Sequence, residues 1–293
     1  MKYIFWGTPE FAAIILEKLI KADFIPEAII CNSDKPVGRK KIITPPPVKQ
    51  RIMNYESRIK DGIKILQPEN LSIIHDSLFK IQPDLFIVAA YAKILPKEIL
   101  EIPKLGTIGV HPSLLPKYRG SSPIQTTILS GDEKTGTTLY LMDEGLDSGP
   151  ILAQRELEFQ ISNFQFSNLH KKLAELSAEL FIETLPKFLN NEITPSPQNE
   201  NQATFTKKFR TEDGHIKFED LKKAQKQGGE IALEIDRKIR ALNPEPGTYT
   251  FINNKRVKLL EAKITDKKLE LITVQIEGKK PVPWKEQKIF SRS

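Results

Sequence analysis

His111 lies in the run GVHPSLLPKYRG, Gly109 to Gly120, and Asp147 lies downstream in MDEGLDSG, Met142 to Gly149. An imidazole accepts and returns protons near neutral pH. A carboxylate beside it fixes its tautomer, stabilises its cation or accepts a proton through water. Pro112 locks its own φ and biases His111 toward extended backbone, and Pro116 and Gly120 bound the same loop. The imidazole is therefore carried on a shaped segment. Asp147 stands between Gly145 and Gly149, where backbone can approach a ligand closely. Asp and Gly also favour turns for conformational reasons alone. Taken singly, neither the His-Pro pair nor the Gly-x-Asp-x-Gly turn establishes catalysis.

The elements that must bring these two groups together read as α/β. Ile4–Trp6 is a first strand, and Phe11 to Lys21 a helix with Phe11, Ile14, Ile15 and Leu19 on one face. Short strands follow at Ala28–Cys31 and Lys64–Leu66. The run Asp84 to Ala90 is continuously apolar, as suits a strand buried on both faces of a parallel sheet. Thr107–Val110 leads into the His111 loop, and Thr137–Met142 into the Asp147 loop. Both loops thus follow the carboxyl end of a strand, where open α/β sheets place ligands. Phe166 to Asn190 reads as one long helix with Leu169, Leu173, Leu176 and Leu180 in a stripe, and His170 beside it on the helix surface. The polar stretch Ile193–Gln202, with two prolines, reads as a linker. A helix over Ile231–Leu242 and short strands at Thr248–Ile252, Val257–Leu260, Leu269–Ile272 and Val274–Ile276 complete the chain, with a hairpin turn at Asn253-Asn254. The expected division is a doubly wound, mostly parallel α/β domain over 1–190, a linker over 191–204 and a small, mostly β domain over 205–293.

With 293 residues, 39% hydrophobic and 28% charged, the chain has the composition of an ordinary globular protein. No apolar run reaches membrane-spanning length, and the start reads as strand and turn rather than signal peptide, so the expected address is cytoplasmic. A single cysteine, Cys31, excludes an internal disulfide and a cysteine cluster for zinc, so no metal is expected. Cys31 lies in an apolar stretch and reads as a small buried hydrophobe. Gly7-Thr-Pro-Glu10 lacks the dinucleotide fingerprint, and no P-loop pattern occurs, which removes most of the case for nicotinamide and nucleoside-triphosphate chemistry. The formal charge of +7 is uneven: from Phe205 onward 21 Lys and Arg face 13 Asp and Glu. That is the pattern of a polyanion-binding surface or of a solvated lysine-rich one.

Several segments together resemble the folate-dependent formyltransferases, over nearly the whole chain. They are Phe5–Ala12, Asp34–Lys41, Ala90–Pro96, the His111 run through Gln125, the Asp147 loop, and Ile239–Pro244 with Gly247. The loop bearing Arg39 and the C-terminal segment are similar to the branch of that family that acts on tRNA. The resemblance implies transfer of the formyl group of 10-formyltetrahydrofolate to the amino group of initiator methionyl-tRNA. It matches His111 and Asp147 to the catalytic pair, His111 stabilising the tetrahedral intermediate and sharing proton transfer with Asp147. It matches Ser113, Leu114, Leu115 and Pro116, and Ala90, Tyr91, Ile94 and Leu95, to the folate site. Without it, Leu114 and Leu115 read as core packing. Arg39, Lys40 and Lys41 at a loop tip, with Lys207, Lys208 and Arg210, are the implied tRNA contacts, although a solvated basic turn has the same composition. The C-terminal domain is implied to be an OB-like barrel, here shortened because Ala262–Asp266 passes almost directly to Leu269. The enzyme is expected to be a monomer.

One position departs from that pattern. Gly109 stands where the family has an asparagine whose side chain donates a hydrogen bond. Loss of one oxyanion donor typically costs on the order of 10²–10³ in turnover. The expectation here is that another donor or a water fills the role, so that Gly109→Asn changes turnover by less than about tenfold. Two competing functions remain: formyl transfer to a small amine such as an amino sugar nucleotide, and a tRNA- or folate-binding protein weakened in catalysis by Gly109.

Overall fold

The computed structural model describes residues 1–38, 40–55, 62–158 and 164–284. They form two compact units: 1–120, 134–158 and 170–205 make the first, and the described parts of 121–133, 159–169 and 206–293 the second.

The first unit is built on seven strands: β1 (Tyr3–Gly7), β2 (Ala28–Ile30), β5 (Lys64–Leu66), β6 (Leu85–Ala89), β7 (Thr107–His111), β8 (Lys134–Leu141) and β9 (Ile151–Glu158). Their order is β5-β2-β1-β6-β7-β8-β9. The five strands from β5 to β7 are parallel. A small exposed hairpin of β3 (Lys35–Val37) and β4 (Ile42–Thr44) stands apart from the sheet. Helices α1 (Glu10–Lys21), α2 (Pro47–Met53), α3 (His75–Ile81), α4 (Lys97–Leu100) and most of α6 (Phe166–Leu189) belong to this unit. β1, β2, β6 and β7 are buried at every position, which is why β1, β2 and β6 read as unbroken apolar runs. Ile4, Trp6, Ile30, Phe86 and Val88 pack with Leu78, Leu95 and Ile99 in one cluster. Each such side chain contributes about 1.5–3 kcal/mol on burial. Cys31 is fully buried, and that burial pushes its thiol up to about 11. In α6, Leu169, Leu173 and Leu180 are buried, and His170 is half-buried, edge-on to Phe11, rather than on the helix surface.

Two features differ from the sequence reading. β8 runs antiparallel to β7, pairing His111 with Thr138 and Ile108 with Leu141, and β9 runs antiparallel to β8. The Asp147 loop is therefore the bend of a long β8–β9 hairpin, not a second loop at the carboxyl edge of parallel strands. Residues 193–202, read as a linker, run along the first unit: Ser196 bridges to Ile151, and Gln198 and Glu200 bind Arg119.

The second unit carries an antiparallel sheet of β10 (Tyr249–Ile252), β11 (Lys255–Thr265), β12 (Lys268–Ile276) and β13 (Val282–Pro283), with α5 (Pro123–Ser130), α7 (Phe218–Lys226) and α8 (Glu230–Leu242). Asn253 and Asn254 both take positive φ, at 48° and 58°, as a two-residue hairpin requires. The two strands expected over 269–276 are one, β12, and β11 runs past Leu260 through a bulge at Leu259–Ala262. Among the described residues the sheet stays open, β13 pairing only with β12.

Candidate active site

β7 lies between β6 and β8 and delivers His111 as its last residue, 6% exposed. The chain after it folds back through a turn closed by Lys117 N to Leu114 O, 3.0 Å, and Ser113 Oγ to Lys117 O, 2.6 Å. The hairpin holds that turn down. Thr138 Oγ1 donates to Ser113 O at 2.7 Å and accepts from Leu115 N at 3.1 Å, while Gln154 Nε2 donates to Leu115 O at 2.7 Å. The fold-back places the Tyr118 carbonyl 2.9 Å from His111 Nε2. A carbonyl only accepts, so Nε2 carries a proton. Nδ1 faces Asp147 Oδ2 at 3.5 Å.

Asp147 has positive φ, 51°, in the hairpin bend. Gly120 N donates to its Oδ2 at 2.7 Å, and the Tyr140 hydroxyl to its Oδ1 at 2.6 Å. The backbone of the bend is pinned by Gln198, whose Nε2 donates to both Asp147 O and Gly149 O at 2.8 Å. Gln198 is gripped in turn by Arg119, 2% exposed, through Nε at 3.0 Å and Nη2 at 2.8 Å. Arg119 also forks onto Glu200 at 2.7 and 2.9 Å. Tyr118, Arg119 and Gly120 thus bind His111, the Gln198 strut and Asp147 in succession.

Gly109 pairs directly with Tyr140 across β7 and β8. A Cβ at Gly109 would lie 2.5, 2.6 and 2.9 Å from Tyr140 Cε1, Cζ and hydroxyl. An asparagine does not fit unless that buried ring moves, which argues against the small effect expected of Gly109→Asn. Burial, then the Asp147 charge and its hydrogen bond, push the Tyr140 phenol well above its usual range. It is protonated at neutral pH and serves as a donor.

The segments matched to folate follow neighbouring strands, since Ala89 pairs with Val110. Ser113 and Leu115 are buried in the loop, and Leu114 is half-buried against Gly136. Pro116 is half-buried and Ala90 exposed at positive φ, 49°. Tyr91 packs on Trp6 with ring centroids 5.3 Å apart. Leu95 is buried in the core cluster, whereas Ile94 is 89% exposed. Lys40 and Lys41 are exposed at the tip of the β3–β4 hairpin, and Arg39 lies outside the described residues. Lys207, Lys208 and Arg210 are exposed in the second unit, Lys207 paired with Asp213. Among the described residues no cluster of His, Cys, Asp and Glu could hold a metal ion, and no helix is long and apolar enough to cross a membrane.

Tyr140, Arg119 and Gln198 escaped the sequence reading. Arg119 was inside the His111 run, but nothing in the spacing linked it to a glutamine 79 residues later.

The chain matches the formyl transferase family over residues 1–185 and its C-terminal domain over 208–271. It is 42% identical to a methionyl-tRNA formyltransferase of Caldicellulosiruptor saccharolyticus, over 90% of this chain and 80% of that one. In fold it is similar to an N-formyltransferase of Helicobacter canadensis solved with folinic acid and dTDP-3-aminofucose, with a TM-score of 0.64 and 21% identity over 91% of this chain and 88% of that one. It is similar as well to a methionyl-tRNA formyltransferase from Clostridium thermocellum, with a TM-score of 0.59 and 17% identity over 94% of this chain and 98% of that one. With both domains matched and about two-fifths identity across most of its length, the chain belongs to the methionyl-tRNA formyltransferase family.

Proposed function

We propose that the chain transfers the formyl group of 10-formyltetrahydrofolate to the free amino group of initiator methionyl-tRNA, in the cytoplasm, for translation initiation. An amine adding to a formyl carbon must lose a proton, and the departing nitrogen must gain one. The observation that carries the mechanism is the committed tautomer of His111: Nε2 is spent on the Tyr118 carbonyl, which leaves Nδ1 as the proton acceptor beside Asp147 Oδ2. The proton taken by Nδ1 makes an imidazolium whose charge Asp147 stabilises and which opposes the developing oxyanion. The same proton then serves the leaving nitrogen.

The loop of Ser113 to Pro116 and the segment of Ala90, Tyr91, Ile94 and Leu95 would hold the folate, presenting apolar surface and backbone polar groups to a flat ring. Lys40 and Lys41, with Arg39 from sequence alone, and Lys207, Lys208 and Arg210 would meet tRNA phosphates. The relatives about 40% identical favour a tRNA acceptor over a small amine. The test is transfer of labelled formyl from 10-formyltetrahydrofolate to methionyl-tRNA, run beside glycinamide ribonucleotide and an amino sugar nucleotide. Label on methionyl-tRNA alone is expected. Efficient label on a small amine with none on tRNA would overturn the acceptor assignment, and no label anywhere would leave a binding protein.

A further inference from the structure

We propose that Tyr140 is a positioning residue of the formyl-transfer site, and that Gly109 and Tyr140 are one unit in which the neighbouring strand supplies the polar group position 109 lacks. The inference rests on the transfer reading above and deepens it. Three observations carry it. The phenol ring lies against the bare Cα of Gly109, in the volume a side chain there would fill. The hydroxyl is 2.9 Å from where a Cβ at position 109 would be. The terminal amide atoms of an asparagine lie about 2.4 Å from its Cβ by bond geometry. The hydroxyl therefore lies at a distance from that Cβ similar to the reach of such an amide. Finally, that hydroxyl is spent on Asp147 Oδ1 at 2.6 Å, while Oδ2 accepts from Gly120 N and lies 3.5 Å from His111 Nδ1.

The division of the carboxylate explains what the hydroxyl does. With Oδ1 tied to Tyr140, the carboxylate cannot rotate, and Oδ2 stays turned to His111. A phenol that is 3% exposed has no water to satisfy it if the carboxylate turns away. The glycine is required by the same arrangement, because any Cβ displaces the ring and, with it, the donor.

The experiment compares wild type, Tyr140→Phe, Gly109→Asn and the double variant Gly109→Asn with Tyr140→Leu. Tyr140→Phe keeps the ring against Gly109 and removes only the hydroxyl. Its kcat is expected to fall about 10- to 100-fold, the worth of a hydrogen bond to a charged group, with KM for both substrates nearly unchanged. A hydrogen bond to the charged form favours that form, so the acid limb of its kcat/KM profile should move to higher pH. Gly109→Asn alone should be the worst of the three. The double variant, with room for the amide, should recover at least about tenfold over Gly109→Asn alone. A Tyr140→Phe enzyme with wild-type kcat and pH profile overturns the proposal, as does a double variant no better than Gly109→Asn. Failure of the transfer reading itself shows separately, as a wild-type protein that formylates no methionyl-tRNA. In that case the imidazole nitrogen resonances of His111, followed across pH in wild type and Tyr140→Phe without substrate, still decide: displaced titration supports the hydrogen-bond chain, and identical curves overturn it.

Discussion

Arg119→Met removes a guanidinium that grips Gln198 and Glu200, and it should cost both stability and turnover. The Arg119 guanidinium donates twice to Gln198 and twice to Glu200. The Glu200 side chain is 68% exposed, so that half is screened by water and adds little. The Gln198 half is sheltered, and hydrogen bonds to a charged group are worth about 1.5–3 kcal/mol. A loss of about 2 kcal/mol, at about 2–4 °C per kcal/mol, lowers Tm by about 4–8 °C. The effect on chemistry comes through Gln198, whose amide holds the carbonyls of Asp147 and Gly149. A carboxylate displaced by about 1 Å costs on the order of 10²-fold in rate. The assays are a thermal melt and kcat for formyl transfer at saturating substrates. Arg119→Lys should rescue little, because one ammonium cannot span the fork that the guanidinium fills. If Tm falls as expected while kcat stays within about twofold of wild type, the strut is structural only and Tyr140 and Gly120 alone hold the carboxylate.

Asp147→Asn should lower kcat by about 10²–10⁴, because an amide cannot accept from both Tyr140 and Gly120 and cannot stabilise an imidazolium. Gly149→Ala should destabilise by about 2–3 kcal/mol in chemical denaturation, since its Cβ would fall inside the Leu141 carbonyl oxygen; an unchanged midpoint would show that the bend yields. Burial alone would push Glu17 up, but hydrogen bonds from Lys21, Tyr55 and Arg51 reverse this and hold its carboxyl at about 2, against an ordinary 4.5. The stability that wild type gains over Glu17→Gln should therefore be full above pH 4.5 and fade as pH falls toward 2, as read by denaturation across pH. A difference that grows on acidification would contradict the ion cluster between α1 and α2.

How far the sequence revealed this site depends on which interactions are local along the chain. The parallel strands were legible because burial on both faces leaves unbroken apolar runs, as in Leu85–Ala89. His111 and Asp147 stood out through the family resemblance of the segments around them, since proline and glycine mark the loops that carry them but alone establish no chemistry. β9 was not legible: Ile151–Glu158 spaces its apolar residues among Gln154, Arg155 and Glu156, as an edge strand does, and no period stands out. Missing β9 hid the hairpin, and with it the antiparallel register that sets Tyr140 opposite Gly109. Gly109 alone looked like a lost hydrogen-bond donor. In a sheet, however, the volume beside a residue belongs to its cross-strand partner, here 31 residues away and on the same face. A glycine in a central strand is a vacancy only if that partner is small. When the partner is a tyrosine whose hydroxyl reaches the Asp147 carboxylate, the glycine is what makes room for it. The substitution at position 109 must therefore be judged together with position 140, and a variant that restores the family residue at one of them is expected to damage the site that the pair builds.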